Sequence, residues 1–157
     1  GVASEQMAAI HEVARDVVRE QVVRGRTLST WQLEHLHTSS GTAAIATATV
    51  SLRKGDEVIT DAATGDGPVD AVINVLDRLC GTRGQLQDYR LRSVTGGRDA
   101  QGEVSVRVLF GEHLVGGKGL STDVVLASGL AYLDAINRVG FASERFDYRA
   151  EEGAGQP

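Results

Sequence analysis

The segment Glu57–Gly81, EVITDAATGDGPVDAVINVLDRLCG, changes its structural period halfway along. Its first part, Glu57–Ala63, reads as a strand. From Pro68 onward Val69, Val72, Ile73, Leu76 and Leu79 recur at helical spacing, and Gly81 supplies a stop. Between the two lies Gly65-Asp66-Gly67-Pro68. Proline's fixed φ suits the first helical position and Gly67 can cap it. The backbone N–H groups of such a helix start attract anions. An unliganded strand-to-helix turn has the same composition, so the motif alone does not choose between the two.

Working outward, Trp31–Thr38 reads as a strand and Ala44–Leu52 as a second. Ala46, Ala48, Val50 and Leu52 alternate with Thr47, Thr49 and Ser51, and Arg53–Glu57 turns the chain. Residues 31–81 therefore form a βββα unit. The same order begins again after Gly84. Leu86–Val94 is a strand, Thr95–Gly102 a turn, and Glu103–Phe110 a strand with Val104, Val106, Val108 and Phe110 in alternation. A short strand through Leu114 and Val115 leads to GGKGLSTDVV, where Ser121 is the expected N-cap. Asp123 then falls in the first turn, near the place Asp70 holds in the first unit. Val125, Gly129, Leu130, Leu133 and Ile136 carry the helical stripe to an expected end at Gly140. The repeat predicts an α+β domain over 31–140, of two βββα units (31–81 and 85–140) related by a pseudo-twofold axis, with the sheets covering the helices. An amphipathic helix over Ser4–Val23 and a linker precede it within 1–30. A polar tail, 141–157, follows, and its last stretch, RAEEGAGQP, reads as disordered.

Composition limits the functions open to such a domain. With 157 residues the chain buries roughly 70% of its unfolded surface and needs neither disulfide nor metal to fold. Sixteen basic against twenty-one acidic residues give a net charge of −5 without blocks of like charge, which argues against nucleic-acid or anionic-membrane partners. The one cysteine, Cys80, lies on the apolar stripe of the first helix and reads as core. No apolar run approaches the ~20 residues of a membrane span, and Gly1–Gly25 lacks the basic, apolar and cleavage-site order of a signal peptide. The expected setting is cytoplasmic. Gly1 in place of methionine is what a trimmed or excised start would leave.

Four blocks then carry a resemblance. They are TSSGT with ATATV, DAATGDGPVDAV, LQDYRLRSVTGGRDAQGEV, and GKGLSTDVVLAS with YLDAINR. In this order and spacing, over Trp31–Val139, the chain resembles the C-terminal regulatory domain of alpha-isopropylmalate synthase, with citramalate synthases as near relatives. The resemblance implies a leucine-sensing, dimerising domain that feedback-inhibits the first committed step of leucine biosynthesis. Family members commonly carry a proline before TATV, where this chain has Ala46, a difference confined to the entry of a strand. The catalytic metal-dependent (β/α)₈ barrel of the family does not fit in this chain, so no catalytic residues, metal or cofactor are expected here. The barrel would act with it in cis or in trans.

The resemblance also gives the first motif a ligand. A leucine zwitterion presents a carboxylate for N–H donors, an ammonium for acceptors and an isobutyl group for a dry pocket. Gly67 allows close approach at the helix start, Asp66 can accept, and Val69 is an apolar wall. Matched residue by residue, the effector pocket also draws on Leu86, Tyr89, Ser93, Ala100, Leu120 and Ser121. Tyr89 is equally readable as a core aromatic with a bonded hydroxyl. Asp70 and Asp123 read as favourable helix N-terminal charges. His35 and His37 alternate onto one strand face but have no evident third ligand and read as ordinary strand residues. Lys118 is followed by glycine, so the glycines around it do not make a phosphate loop. The ligand is thus leucine or a similar small amino acid or keto acid, the assembly a homodimer. A second class stays open: a free-standing relative, recruited as a small enzyme or metabolite-binding protein, or as an isoleucine sensor of the citramalate type.

Overall fold

The computed structural model describes residues 30–94 and 100–154, with side chains as far as Gly140. The expected N-terminal helix and the centre of the Thr95–Gly102 turn lie outside the described residues. Six strands and two helices follow in the order βββαβββα. They are β1 (Gln32–Gly41), β2 (Ala44–Lys54), β3 (Glu57–Gly65), α1 (Pro68–Cys80), β4 (Gly84–Ser93), β5 (Gly102–Phe110), β6 (His113–Ser121) and α2 (Val124–Ala154). The strands form two antiparallel three-stranded sheets, β1-β2-β3 and β4-β5-β6. The two-unit α+β architecture read from the sequence is the observed one. No helix among the described residues is long and apolar enough to cross a membrane.

Strict alternation in the central strands explains the layering. Ala46, Ala48, Val50 and Leu52 of β2, with Val104, Val106, Val108 and Phe110 of β5, are buried, while their neighbours face outward. The helices answer with Ala71, Val72, Val75 and Leu76 of α1 and Ala127, Ala131, Tyr132, Ala135 and Ile136 of α2. One continuous core results, in which each fully buried Leu or Val contributes about 1.5–3 kcal/mol. Strand register makes the repeat exact enough to pair positions. Leu33 opposes Leu52 and Leu52 opposes Ile59, as Leu86 opposes Val108 and Val108 opposes Val115. Both first strands shift register just after that leucine, between Leu33 and His35 and between Leu86 and Asp88. Leu36 therefore corresponds to Tyr89, Gly67 to Asp123, and Val72 to Ser128.

Three boundaries differ from those read in the sequence. β6 is not a short strand through Leu114 and Val115 but runs to Ser121, through three glycines. A Cβ on Gly117 would lie 2.1 Å from the carbonyl oxygen of Ala131, and one on Gly119 2.1 Å from that of Ala127. The α2 backbone rests directly on this strand, and glycine is what lets it do so. Secondly, α2 does not close at Gly140. Its backbone stays helical to Ala154, so the segment after 141 is not a coil over its whole length. A glycine inside a helix costs only about 1 kcal/mol relative to alanine, and the Glu, Arg and Ala residues beyond it favour the helix. The third difference is the start of α2, at Val124 after Asp123 and not directly after Ser121.

The C-terminal end of α1 joins the units. Gly81 ends the helix at φ 66°, and its amide and that of Thr82 both donate to the Asp77 backbone carbonyl. The Asp77 carboxylate accepts from Thr82 Oγ1 at 2.7 Å, from the Tyr132 hydroxyl at 2.9 and 3.0 Å, and from the Gly84 amide at 3.4 Å. Burial pushes the Asp77 carboxyl above the usual carboxylate range and the Tyr132 phenol upward too. On the other side, the Asn137 side chain accepts from the amide of Trp31 at 2.8 Å and donates to its carbonyl at 2.9 Å. Each unit's first strand is thus pinned at its start by the other unit's helix. Cys80 is half-buried, and desolvation, with the nearby Asp77 charge, pushes its thiol up to about 12. Only the thiolate is nucleophilic. Iodoacetamide at pH 8 should therefore label native Cys80 far more slowly than the urea-unfolded chain, by at least about ten-fold; equal rates would show an accessible, ionised thiol.

Candidate effector site at the paired helix starts

Two contacts set the direction of the helices. Val72 Cγ1 lies 3.1 Å from the position a Cβ would take on Gly129, and Asp77 bonds to Tyr132. Both contacts advance toward the C-termini together, so α1 and α2 run in the same sense and their N-termini share one end of the domain. β4 leads to that end as well. Gly84 at its start is beside Asp77, Tyr89 bonds to Ser128, and Leu91 and Val124 both approach Gly102.

The two helix starts are chemically unlike. Ser121, expected as the N-cap of α2, instead accepts the amide of Asp123 at 3.1 Å. The N-cap is Asp123, whose Oδ1 accepts from Val125 at 2.9 Å and from Leu126 at 3.4 Å. Its counterpart in the first unit is Gly67 and not Asp70. Gly67 has an extended backbone, φ −162° and ψ 176°, and offers no side-chain cap. A Cβ there would meet nothing within 4 Å. Asp70 turns back to accept the Asp66 amide at 2.8 Å and leaves the start of α1 open. Both first turns carry a carboxylate, but only that of α2 accepts from the helix's own first amides; the first amides of α1 have no side-chain cap.

The other sequence-derived site residues divide by sheet face. Asp66 is exposed, while Gly67 and Val69 are half-buried at the open start of α1. Leu86, Tyr89 and Ser93 share the helix-facing side of β4, yet Leu86 is 41% and Tyr89 37% exposed. Their first-unit counterparts Leu33 and Leu36 are half-buried. The cause is a difference in packing: β1 contacts both helices, whereas neither helix contacts β4 to a comparable extent. The helices therefore cover β4 less than they cover β1, and the 2.7 Å hydrogen bond from Tyr89 to Ser128 ties β4 to α2. Ser121 lies at the end of β6 against the start of α2. Ala100 is exposed beside the Gly102 end of β5. Leu120 opposes Glu103 and is exposed on the sheet face away from α2, so within one chain it is not brought to Tyr89. Ser128 was not among the residues singled out in the sequence, because a small polar residue on a helical stripe does not announce a partner 39 residues away.

Two other features do not join this site. His35 and His37 are exposed on the outer face of β1, and among the described residues no group of three potential ligands forms. A cleft of about 500 Å³ lined by Asp77, Arg78, Gly81, Thr82, Arg83 and Gly84 lies at the opposite end of α1. There Arg78 is paired with Asp61 at 3.2 Å and the Asp77 oxygens are occupied by the fold.

Comparison with known proteins fits this geometry. The profile of the LeuA allosteric (dimerisation) domain matches residues 6–140. The chain is 49% identical over 106 residues to a 2-isopropylmalate synthase of Ruminiclostridium cellulolyticum, covering 68% of this chain and 21% of that protein. It is 41% identical over 137 residues to the 2-isopropylmalate synthase of Carboxydothermus hydrogenoformans, 87% of this chain and 26% of the relative. With that of Pyrococcus furiosus the identity is 42% over 124 residues, 78% of this chain and 24% of the relative. The chain thus spans about a quarter or less of the length of these relatives. A match over most of the chain, on the same two βββα units, places it in the LeuA allosteric (dimerisation) domain family.

Proposed function

We propose that this chain is the amino-acid-sensing regulatory domain of a 2-isopropylmalate synthase, binding leucine to feedback-inhibit leucine biosynthesis. The observation that carries this reading is the asymmetry of the two helix starts, one capped by Asp123 and the other without a side-chain cap at Gly67, at the end of the domain toward which β4 runs with Leu86 and Tyr89 exposed. The amides after Gly67 are oriented for a carboxylate, Asp66 and nearby carbonyls for an ammonium, and Val69, Leu86 and Leu91 for an isobutyl group. The domain acts as a homodimer, in keeping with the family's description. It needs no cofactor of its own and exerts its effect on a catalytic domain in cis or in trans. Titration calorimetry should find leucine bound at one site per chain, tighter than isoleucine. One displaced methyl separates the two by only about 1–3 kcal/mol. Tighter isoleucine binding would reassign the effector, and no heat with either would remove the sensing role.

A further inference from the structure

Ser128 is 2% exposed, in the second turn of α2, and its Oγ donates to the Val124 carbonyl at 2.7 Å. A serine hydroxyl carries one proton. In its second contact, 2.7 Å to the Tyr89 hydroxyl, Ser128 must therefore accept and Tyr89 must donate. The Tyr89 oxygen is left with acceptor capacity only, on a residue still 37% exposed. The first unit shows that the fold does not require this pair. There the corresponding residues are Leu36 and Val72, both apolar, and Val72 is fully buried. A buried polar group kept where an apolar one serves the same packing points to a use beyond packing.

We infer that Ser128 is a positioning residue which, by taking the Tyr89 proton, makes the Tyr89 oxygen an acceptor that reads the amino group of the effector. This rests on the effector site proposed above and adds a specificity to it. An amino acid presents an N–H donor to that oxygen. The 2-oxo acid of the same skeleton presents a carbonyl oxygen, a second acceptor, and is turned away. The device exists once per chain, because only the second unit has the Tyr–Ser pair.

The test is calorimetry of leucine and of 4-methyl-2-oxopentanoate on the whole chain and on Ser128→Ala, Ser128→Thr and Tyr89→Phe. Losing one hydrogen bond to a charged group should weaken leucine about ten-fold or more in Tyr89→Phe, and Ser128→Ala, which frees the Tyr89 hydroxyl to turn, should weaken it in the same direction by less. The oxo acid should be unchanged or tighter, because the freed Tyr89 proton can now be donated to it. Tyr89→Phe, which leaves the core untouched, should narrow the leucine-to-oxo-acid ratio in the same way, and Ser128→Thr should restore it. A ratio equal to that of the wild type in both Ser128→Ala and Tyr89→Phe overturns the inference while the effector site stands. Absence of leucine binding by the wild type overturns the effector site and this inference with it.

Discussion

Gly67→Asp should abolish leucine binding while leaving the fold intact. The new side chain enters open space on an extended backbone that any residue adopts. It would reproduce in the first unit what Asp123 already does in the second, where the carboxylate accepts the amides of Val125 and Leu126. Aspartate is a better N-cap than glycine by a few tenths of a kcal/mol, so the melting temperature should hold or rise slightly. The carboxylate would occupy the place proposed for the effector's own. Two like charges about 4 Å apart repel by roughly 4 kcal/mol at an effective dielectric of ~20, and that weakens binding by about three powers of ten. Gly67→Ala separates charge from bulk: it adds a methyl group to the same open space and should retain most of the affinity. Calorimetry beside thermal melting of both variants checks this. Unchanged leucine affinity in folded Gly67→Asp would remove the anion site from α1.

The largest effect on stability should come from Gly119→Ala. Its Cβ would sit 2.1 Å from the Ala127 carbonyl oxygen and 2.6 Å from the Ala131 amide nitrogen, both backbone atoms of α2. Helix and sheet would have to separate along their whole contact, opening the core shared by Val104, Val106, Ala127 and Ala131. Overpacking usually costs 1–3 kcal/mol, but a clash with backbone on both sides belongs at about 3 kcal/mol or beyond, a large part of the roughly 5–15 kcal/mol that holds a domain. Gly116→Ala, on the outer face of the same strand, is the control. Its Cβ would meet only the Val106 carbonyl, at 3.8 Å, and stability should change by less than about 1 kcal/mol. Urea denaturation of the two variants gives the comparison. Equal midpoints would show that α2 does not rest on β6 as described.

The same glycines show where the sequence could be read and where it could not. β2, β5 and the body of α1 were legible because alternation and helical spacing are local patterns enforced by one buried face. β6 was read short because glycine has little preference for a strand. What places Gly117 and Gly119 there is the nearness of a helix backbone, a tertiary fact with no local signature. Gly140 has the composition of a terminus, but it does not take the left-handed conformation that ends α1 at Gly81, φ 66°. At the start of α2, Ser121 and Asp123 are both good caps two residues apart, and only the hydrogen bonds choose between them. The open start of α1 was legible in Gly67 and Pro68. The exposure of β4 was not, since Leu86, Tyr89 and Leu91 look like any core-facing strand residues until the helices are placed.

The central claim is that one effector is held at the end of the domain where the open start of α1 and the far half of β4 converge. An ¹⁵N-resolved amide titration of the dimer with leucine tests it most directly. Shifts should be saturable, with one stoichiometric site per chain, and should concentrate on Val69 and Asp70 of α1 and on Tyr89 and Leu91 of β4. The self-capped amides of Val125 and Leu126 should move far less. Shifts centred on those two amides instead, or confined to the cleft around Asp77 and Gly84, would contradict the account.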